Sequence, residues 1–137
     1  DQEIQNKLYK EISEVQKRLN GSPVTYSDIQ SMEYLDAFVC EVLRKHPPVM
    51  STDRKCNNET ILEDNDGRLI KIPKGMTVHI NTIGIHYNPK YYTNPEKFDP
   101  ERFLGENKLK IIPNTYLPFG VGPRACIGKY FYCSKYC

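Results

Sequence analysis

The 137-residue sequence contains no tryptophan, no closely paired cysteines and no long apolar run. Its five cysteines are Cys40, Cys56, Cys126, Cys133 and Cys137, and no two of them form a Cys-x-x-Cys pair. Zinc sites usually contain such pairs, and disulfide frameworks serve mainly chains that cannot build a core, so both kinds of site are disfavoured. We expect reduced thiols in an intracellular setting, and a special role must be argued for each cysteine separately.

Charge is also nearly balanced, since the formal net charge is only +2. Such a charge does not indicate nucleic acid or an anionic membrane surface as a partner. No apolar run approaches the roughly 20 residues of a membrane-spanning helix, and the first residues do not resemble a signal peptide. The content of 39% hydrophobic and 26% charged residues is typical of one globular domain with a core. Because the sequence begins inside a helical pattern without a Met, we expect a part of a longer protein.

The first third of the sequence has the periodicity of helices. Apolar residues three and four positions apart predict an amphipathic helix that ends at Asn20–Gly21: Ile4, Leu8, Ile12, Val15 and Leu19. Thr25 and Asp28 have the spacing of a capping box, which predicts a short helix. A longer apolar pattern over residues 32–46 predicts a third helix, and Pro47 and Pro48 end it.

Strand and turn signals replace this periodicity after Pro48. Segments 59–64 and 68–72 flank Asn65–Gly67, which predicts a hairpin, and residues 76–80 alternate as a strand does. Prolines at positions 89, 95 and 100 predict an irregular but ordered segment over residues 88–103. A further helix could begin just after Cys126. The whole pattern predicts an α+β fold that is mainly helical, with residues 1–137 in one domain.

Glu41 and Arg44 form the first candidate constellation. Residues three apart share one face of a helix, so the carboxylate and the guanidinium can meet. Most such pairs lie in solvent and stabilise little, but the residues around Glu41 are apolar on nearly every side. A buried carboxylate needs a cation, and the planar guanidinium can bind both of its oxygens. We therefore favour a buried structural pair.

The second constellation is Pro100–Phe103, at the end of the proline-rich segment. A segment without regular backbone pairing needs side chains to hold it in place. Phe98 and Phe103 flank charged residues, which suggests apolar anchors with Arg102 directed inward. On these residues alone, however, an exposed turn with ordinary surface charges is the favoured interpretation.

The third constellation is the stretch PFGVGPRACIG, residues 118–128. Glycines relax the backbone around Cys126, and Arg124 adds a permanent positive charge beside the thiol. A cysteine nucleophile would need a histidine base, yet His46, His79 and His86 lie far away in the sequence. An iron ligand is more plausible than a nucleophile, although the residues alone favour a buried structural cysteine in a turn.

The three constellations together resemble the C-terminal part of cytochrome P-450, a family of haem-thiolate monooxygenases. The family pattern Phe-x-x-Gly-x-Arg-x-Cys-x-Gly is matched by Phe119, Gly122, Arg124, Cys126 and Gly128. The Glu-x-x-Arg motif is matched by Glu41 and Arg44, and the Pro-Glu-Arg-Phe motif by Pro100–Phe103. The resemblance extends from Gln5 to about Phe131. The spelling of these motifs is similar to that of microsomal animal members, insect ones included.

The resemblance implies haem as the cofactor, with Cys126 as the axial thiolate that favours O–O cleavage. Backbone N–H groups near Gly128 would bind the sulfur, and Phe119 would keep water away from it. Arg124 and Arg54 would each pair with a haem propionate. All these roles are carried over from the family, not worked out from the spacing.

The remaining motif residues receive other roles from the same resemblance. Glu41, Arg44 and Arg102 would form an ion-pair network that joins the third helix to the proline-rich segment, which is a role in folding. Residues 49–51 would line part of the substrate pocket. The family's oxygen-activating helix and membrane anchor would lie before Asp1.

The resemblance also implies an activity and partners. The complete enzyme would insert one oxygen atom from O2 into a small lipophilic substrate. An NADPH-dependent reductase would donate the electrons at the cytosolic face of the endoplasmic reticulum membrane, and nucleic acid is not expected as a partner. Neither the substrate nor the subfamily can be read from this segment.

Two other hypotheses stay open. The tail Tyr-Cys-Ser-Lys-Tyr-Cys after Phe131 departs from the family pattern, so the chain could be a truncated product without haem binding or activity. A small metal-binding module that uses Cys126, Cys133 and Cys137 is the least favoured hypothesis.

Overall fold

The computed structural model describes residues 1–64 and 66–128, and it confirms a mixed α and β architecture with small antiparallel sheets. Its helices and strands are, in chain order, α1 (Gln2–Leu19), α2 (Tyr26–Gln30), α3 (Glu33–Lys45), β1 (Thr52–Lys55), β2 (Thr60–Glu63), β3 (Leu69–Ile72), β4 (Thr77–Ile80), α4 (Thr82–His86) and α5 (Gly105–Leu109), with short 3-10 helices at Pro100–Phe103 and Gly122–Arg124.

Helix α1 ends where the sequence predicts. Asp1 caps its start, because the side chain accepts hydrogen bonds from the backbone N–H groups of Glu3 and Ile4. Asn20 ends the helix in the left-handed region, with φ of 46°. Lys17 and Arg18 lie in the last turn, where positive charge is favoured by the helix dipole.

Helices α2 and α3 start in different ways. The capping box of Thr25 and Asp28 is formed and confirms the predicted start of α2. Helix α3 has no cap from its own N-cap residue. Instead, Glu11 of α1 accepts hydrogen bonds of 2.8 Å from the backbone N–H groups of both Tyr34 and Leu35. One side chain thus satisfies two N–H groups that a helix start leaves unpaired, and it fastens α1 to α3.

The strands form two separate antiparallel pairs, β2 with β3 and β1 with β4. The predicted hairpin and the strand β4 are confirmed, while Asn65 of the predicted turn lies outside the described residues. Strand β1 was not predicted, because TDRK is polar and lacks alternation. Strand β1 is held by contacts with β4: Asp53 lies opposite His79, and their side chains approach to 2.5 Å.

The proline-rich segment is irregular only up to residue 99. Pro100–Phe103 forms a 3-10 helix, in which the proline stands at the first turn, a position that needs no N–H donor. Helix α4 was also not predicted. Asn81 caps it by accepting a hydrogen bond of 3.0 Å from the backbone N–H of Gly84.

The core lies where α3 packs against Pro100–Phe103. Ala37, Tyr92 and Phe103 are buried together, and the ring of Tyr116 packs on Phe103 with 4.8 Å between centroids. Tyr116 also donates a hydrogen bond of 3.1 Å to the carbonyl of Cys40. The segment that leads to Cys126 is therefore attached directly to α3.

Candidate cofactor site around Cys126

Residues 118–128, named here the Cys126 loop, are shaped by backbone hydrogen bonds and two glycines. The N–H of Cys126 donates to the carbonyl of Phe119 at 2.8 Å, and the N–H of Ala125 donates to the carbonyl of Gly122 at 3.0 Å. Gly120 and Gly122 adopt φ values of 66° and 76°. This left-handed region is costly for residues with a Cβ, so the two glycines allow the chain to turn back on itself.

Cys126 is exposed, which corrects the interpretation of a buried structural cysteine. A Cβ added at Gly128 would lie 3.7 Å from the Cys126 sulfur, an ordinary contact. Contacts among the described residues therefore do not require glycine at position 128. The helix that we expected after Cys126 would fall mainly on residues 129–137, which lie outside the described residues.

The Cys126 loop forms one wall of a cavity of about 460 Å³, a size usual for small-ligand sites. Apolar groups of Pro48, Val49, Leu117 and Phe119 line much of it, with Cys126 among them. Arg124 of the same loop also lines the cavity, and Arg54 of β1 and Thr82 of α4 reach it from distant parts of the chain. An apolar surface, one cysteine and two arginines thus line one space, and Arg54 Nη1 also donates to the carbonyl of Asp53 at 2.8 Å.

The residues expected at this site are not all in the cavity wall. Cys126, Arg124, Phe119, Gly128 and Arg54 line it. Gly122 does not, and its contribution is the turn described above. Of residues 49–51, only Val49 lines the cavity, while Met50 is 66% exposed elsewhere. Two other depressions, of about 470 Å³ and 530 Å³, have no cysteine among their described lining residues.

The Glu41–Arg44 pair lies apart from this cavity and is fully buried, with 0% exposure for both side chains. Arg44 Nε donates to Glu41 Oε2 at 2.7 Å, and Nη2 donates to Oε1 at 2.8 Å. This bidentate geometry is the strong form of the interaction. Arg44 also donates to the carbonyls of His86 at 2.8 Å and Pro95 at 2.9 Å. Glu41 Oε1 accepts a bond of 2.9 Å from the N–H of Asp99, so the pair joins α3 to the proline-rich segment.

Arg102 is brought to the same cluster. Its Nε lies 3.6 Å from Glu41 Oε1, and its Nη2 donates to the carbonyl of Asn94 at 2.9 Å. The side chain is only 13% exposed, so the interpretation of Pro100–Phe103 as an exposed turn is wrong. Phe103 is buried, and the half-buried Phe98 contacts Phe38 edge to face at 5.5 Å.

His86 is the residue of this region that sequence reasoning missed. It is fully buried, and its two ring nitrogens lie 3.0 Å from the carbonyl oxygen of Arg44 and 2.8 Å from the backbone nitrogen of Leu117. Burial lowers the pKa of His86 below its ordinary value. No motif marks this histidine in the sequence, because its partners lie 42 and 31 residues away. His86 connects the Arg44 cluster to the residue just before the Cys126 loop.

Metal and membrane features can be stated for the described residues alone. Within them, no three His, Cys, Asp or Glu side chains are grouped to hold a metal ion. The module proposed for Cys126, Cys133 and Cys137 lies partly outside the described residues. None of the described helices has the length and apolar character needed to cross a bilayer.

The chain matches known proteins over nearly all of its length. The profile of the family "Cytochrome P-450" matches residues 1–131. "Probable cytochrome P-450 9f2" of Drosophila melanogaster is 48% identical over 96% of this chain and 25% of its own length. Cytochrome P-450 9b2 of the same organism is 45% identical over 93% of this chain and 25% of its own. Cytochrome P-450 9e2 of Blattella germanica is 49% identical over 94% and 24%.

These relatives are insect proteins, and the chain spans about a quarter of their length. The match includes Glu41 and Arg44, Pro100–Phe103 and the whole Cys126 loop, because all of them lie within residues 1–131. The profile match and the three identities lead to one conclusion: this chain belongs to the cytochrome P-450 family.

Proposed function

We propose that residues 1–137 are part of one cytochrome P-450 domain and supply the iron-ligating side of its haem site, with Cys126 as the axial ligand. The observation that carries this proposal is the cavity that gathers Cys126, Arg54 and Arg124 around apolar walls. Family membership implies a thiolate-ligated haem as the cofactor.

The cavity wall fits the chemistry of haem. A porphyrin ring is flat and apolar, which suits the surface of Val49, Leu117 and Phe119. Its two propionates are carboxylates, and a guanidinium binds a carboxylate through parallel N–H donors. Arg54 and Arg124 come from different elements, so each can bind one propionate. A cysteine ligates a metal as the thiolate rather than as the thiol, and the exposed Cys126 sulfur lies at the cavity wall.

Phe119 and Gly128 act on the surroundings of the sulfur. The bond between the Cys126 N–H and the Phe119 carbonyl keeps the phenylalanine beside the thiol, where its ring excludes water from one side. Gly128 leaves the space beside the sulfur free of a side chain. Backbone N–H groups near Gly128 are then able to donate to the sulfur and moderate its basicity.

Glu41, Arg44 and Arg102 serve folding rather than chemistry. The guanidinium of Arg44 already donates to Glu41 and to backbone carbonyls, and it has no exposed surface. A buried pair with satisfied hydrogen bonds fixes the relative position of the segments that it joins. We assign this network the task of holding α3 and the proline-rich segment together beneath the Cys126 loop.

In the complete protein, bound haem supplies the oxygen chemistry that inserts one atom of O2 into an organic substrate. We propose a small lipophilic substrate, an NADPH-dependent reductase as the electron donor, and a location at the cytosolic face of the endoplasmic reticulum membrane. Family membership supports these partners.

The test is the absorption spectrum of the full-length, reduced haem protein under carbon monoxide. We expect the red-shifted Soret band of a thiolate-ligated haem in the unmodified protein and its loss in Cys126→Ser. Cys56→Ser is the matched control, because Cys56 is a half-buried thiol on the β-strand side of the chain. Absence of the band from the unmodified protein, or its survival in Cys126→Ser, would show that the assignment is wrong.

Haem titration and circular dichroism of the 137-residue chain address the alternative of a truncated product. Stoichiometric haem binding that Cys126→Ser weakens supports a haem-binding unit. A chain that is unfolded and binds no haem supports the non-catalytic alternative instead. The two results differ without any assay of catalysis.

A further inference from the structure

We infer that His86 is a positioning residue for the Cys126 loop: its neutral imidazole joins the carbonyl of Arg44 to the N–H of Leu117 and so sets where the loop begins. The inference rests on the proposed haem site, because the loop that His86 positions is the one assigned to the iron ligand. His86 acts on the loop through the backbone N–H of Leu117.

The contacts fix which nitrogen carries the proton. The Arg44 carbonyl only accepts, so His86 Nδ1, at 3.0 Å, must donate. The Leu117 N–H only donates, so His86 Nε2, at 2.8 Å, must accept. Both bonds form at once only in the neutral ring with its hydrogen on Nδ1. A second proton on Nε2 would place two N–H donors face to face.

On the side of α3, Arg44 and His86 are joined by two hydrogen bonds, one in each direction. Arg44 Nη1 donates to the carbonyl of His86 at 2.8 Å, while His86 Nδ1 donates to the carbonyl of Arg44. The ring of His86 also stacks on Tyr116, with centroids 5.7 Å apart and planes at 23°. These contacts hold the imidazole in one orientation, so that Nε2 presents its lone pair to Leu117.

The path from Leu117 to the thiol is short. Gly120 donates its N–H to the carbonyl of Leu117 at 3.1 Å, and Cys126 donates its N–H to the carbonyl of Phe119 at 2.8 Å. Tyr92 and Tyr116 anchor the chain before Leu117, through the carbonyl of Thr115 and the carbonyl of Cys40. The bond to His86 lies nearer to Cys126 along the chain than those two anchors do.

The groups that face His86 keep it neutral near pH 7. From α3 come the charges of Arg44 and Glu41, which oppose each other because they form a pair. The segment after α4 contributes Tyr92 at 6.5 Å between centroids, and the chain before the Cys126 loop contributes Tyr116. Burial is the largest influence and lowers the pKa of His86 below 6.5. The contribution of the neutral ring is therefore fully present above pH 6.5 and is lost as the pH falls through the folded-state pKa.

The experiment uses the full-length, haem-loaded protein and two substitutions, His86→Phe and His86→Gln. The phenylalanine keeps the ring and removes both hydrogen bonds, whereas the glutamine amide can donate and accept. His46→Phe is the matched control, because His46 is an exposed histidine at the end of α3. Two quantities are measured between pH 5 and 8: hydrogen exchange at the Leu117 amide, corrected for intrinsic rate, and the fraction of ferrous carbon monoxide complex with the red-shifted Soret band.

In the unmodified protein and in His46→Phe, we expect both Leu117 protection and the red-shifted fraction to fall as the pH drops below 6.5. In His86→Phe we expect exchange at Leu117 to be roughly tenfold faster at pH 7.5, the upper end for one lost hydrogen bond, with a lower red-shifted fraction that no longer follows this pH profile. His86→Gln should restore part of the protection without restoring the pH dependence.

Three results would overturn the inference: Leu117 protection in the unmodified protein that is constant with pH, protection unchanged in His86→Phe, or a pH profile that persists in both variants. If His86→Phe does not fold, the pH series on the unmodified protein and on His86→Gln still decides. A protein without the red-shifted band at any pH would instead contradict the proposed function, and exchange at Leu117 would still test the role of His86.

Discussion

Two arginine-containing regions of this chain differ in the burial and the hydrogen-bond partners of their arginine side chains. In the cluster around α3, Arg44 is 0% exposed and gives its donors to Glu41 and to backbone carbonyls. Around the cavity at Cys126, Arg124 of the Cys126 loop and Arg54 of β1 are both exposed. Arg44 is buried with each of its side-chain nitrogens hydrogen-bonded within the chain, whereas Arg54 uses Nη1 for the carbonyl of Asp53 and is otherwise exposed. On the proposed haem site, the same residue type would therefore serve two functions, which burial separates.

Removal of the charge at Glu41 should give the largest effect on stability. Glu41→Gln keeps the size of the side chain but leaves the Arg44 guanidinium buried without an anion, which typically costs about 3–5 kcal/mol. Urea unfolding of the full-length protein, followed by circular dichroism, measures the loss. Glu14→Gln is the control, because Glu14 is exposed on α1, and it should change the free energy of unfolding by less than about 0.5 kcal/mol. Equal effects of the two substitutions would remove the distinction between the regions.

Glycine substitutions should separate turn geometry from cofactor binding within the Cys126 loop. Gly120→Ala forces a Cβ into the left-handed region at φ of 66° and should cost about 1–2 kcal/mol in the free energy of unfolding. Gly128→Ala meets only an ordinary contact at 3.7 Å from the sulfur, so its cost should stay below about 0.5 kcal/mol. Haem titration should nevertheless show weaker binding in Gly128→Ala. Unchanged haem affinity in that variant would argue against a role for Gly128 beside the haem.

Arg124→Gln should have the smallest effect on stability and a clear effect on haem. The side chain is exposed, so the free energy of unfolding should change by less than about 0.5 kcal/mol. Transfer of haem to an acceptor protein should become faster, because one propionate loses its charged partner. The transfer rate of Arg124→Lys should lie between those of the unmodified protein and Arg124→Gln. Arg68→Gln, an exposed arginine near the hairpin turn, serves as the control. A loss of stability as large as that of Glu41→Gln would place Arg124 in the folding group instead.

Most of the helices and strands that were predicted correctly follow from patterns among neighbouring residues. Helices α1 and α3 follow from apolar spacing, and strands β2 and β3 follow from two runs around a turn, because in each case the information lies within a few neighbouring residues. Strand β1 could not be found this way. Its pairing with β4 and the contact of Asp53 with His79 join residues 26 positions apart. The same limit applies to Glu11, which caps a helix 23 residues further along.

The residues of the site also fall into those that local sequence identifies and those that only the structure reveals. The residues of the Cys126 loop lie close together in the sequence, and a family pattern identifies them. The local sequence around Arg102 predicts an exposed turn, because a charged turn looks like any surface turn. Only the structure shows that Arg102 Nε lies 3.6 Å from Glu41 Oε1. Thr82 and His86 have no sequence signal, because their importance comes only from the cavity and from the backbone groups that they meet.

The bonds from Glu11 to the start of α3 also bear on how the first helix is oriented. Its carboxylate holds two N–H groups of α3, and Lys7 of the same helix forms an ion pair of 3.0 Å with Glu101, beside Arg102. Helix α1 is attached to the rest of the described structure by the linker of residues 20–25, by this cap, by the Lys7–Glu101 ion pair and by an ion pair of 3.0 Å between Arg18 and Asp28. The linker alone would permit many orientations of α1. The noncovalent attachments select one of them, and through Glu11 and Lys7 the helix contacts both α3 and the Pro100–Phe103 segment, the two elements that the buried charge cluster joins.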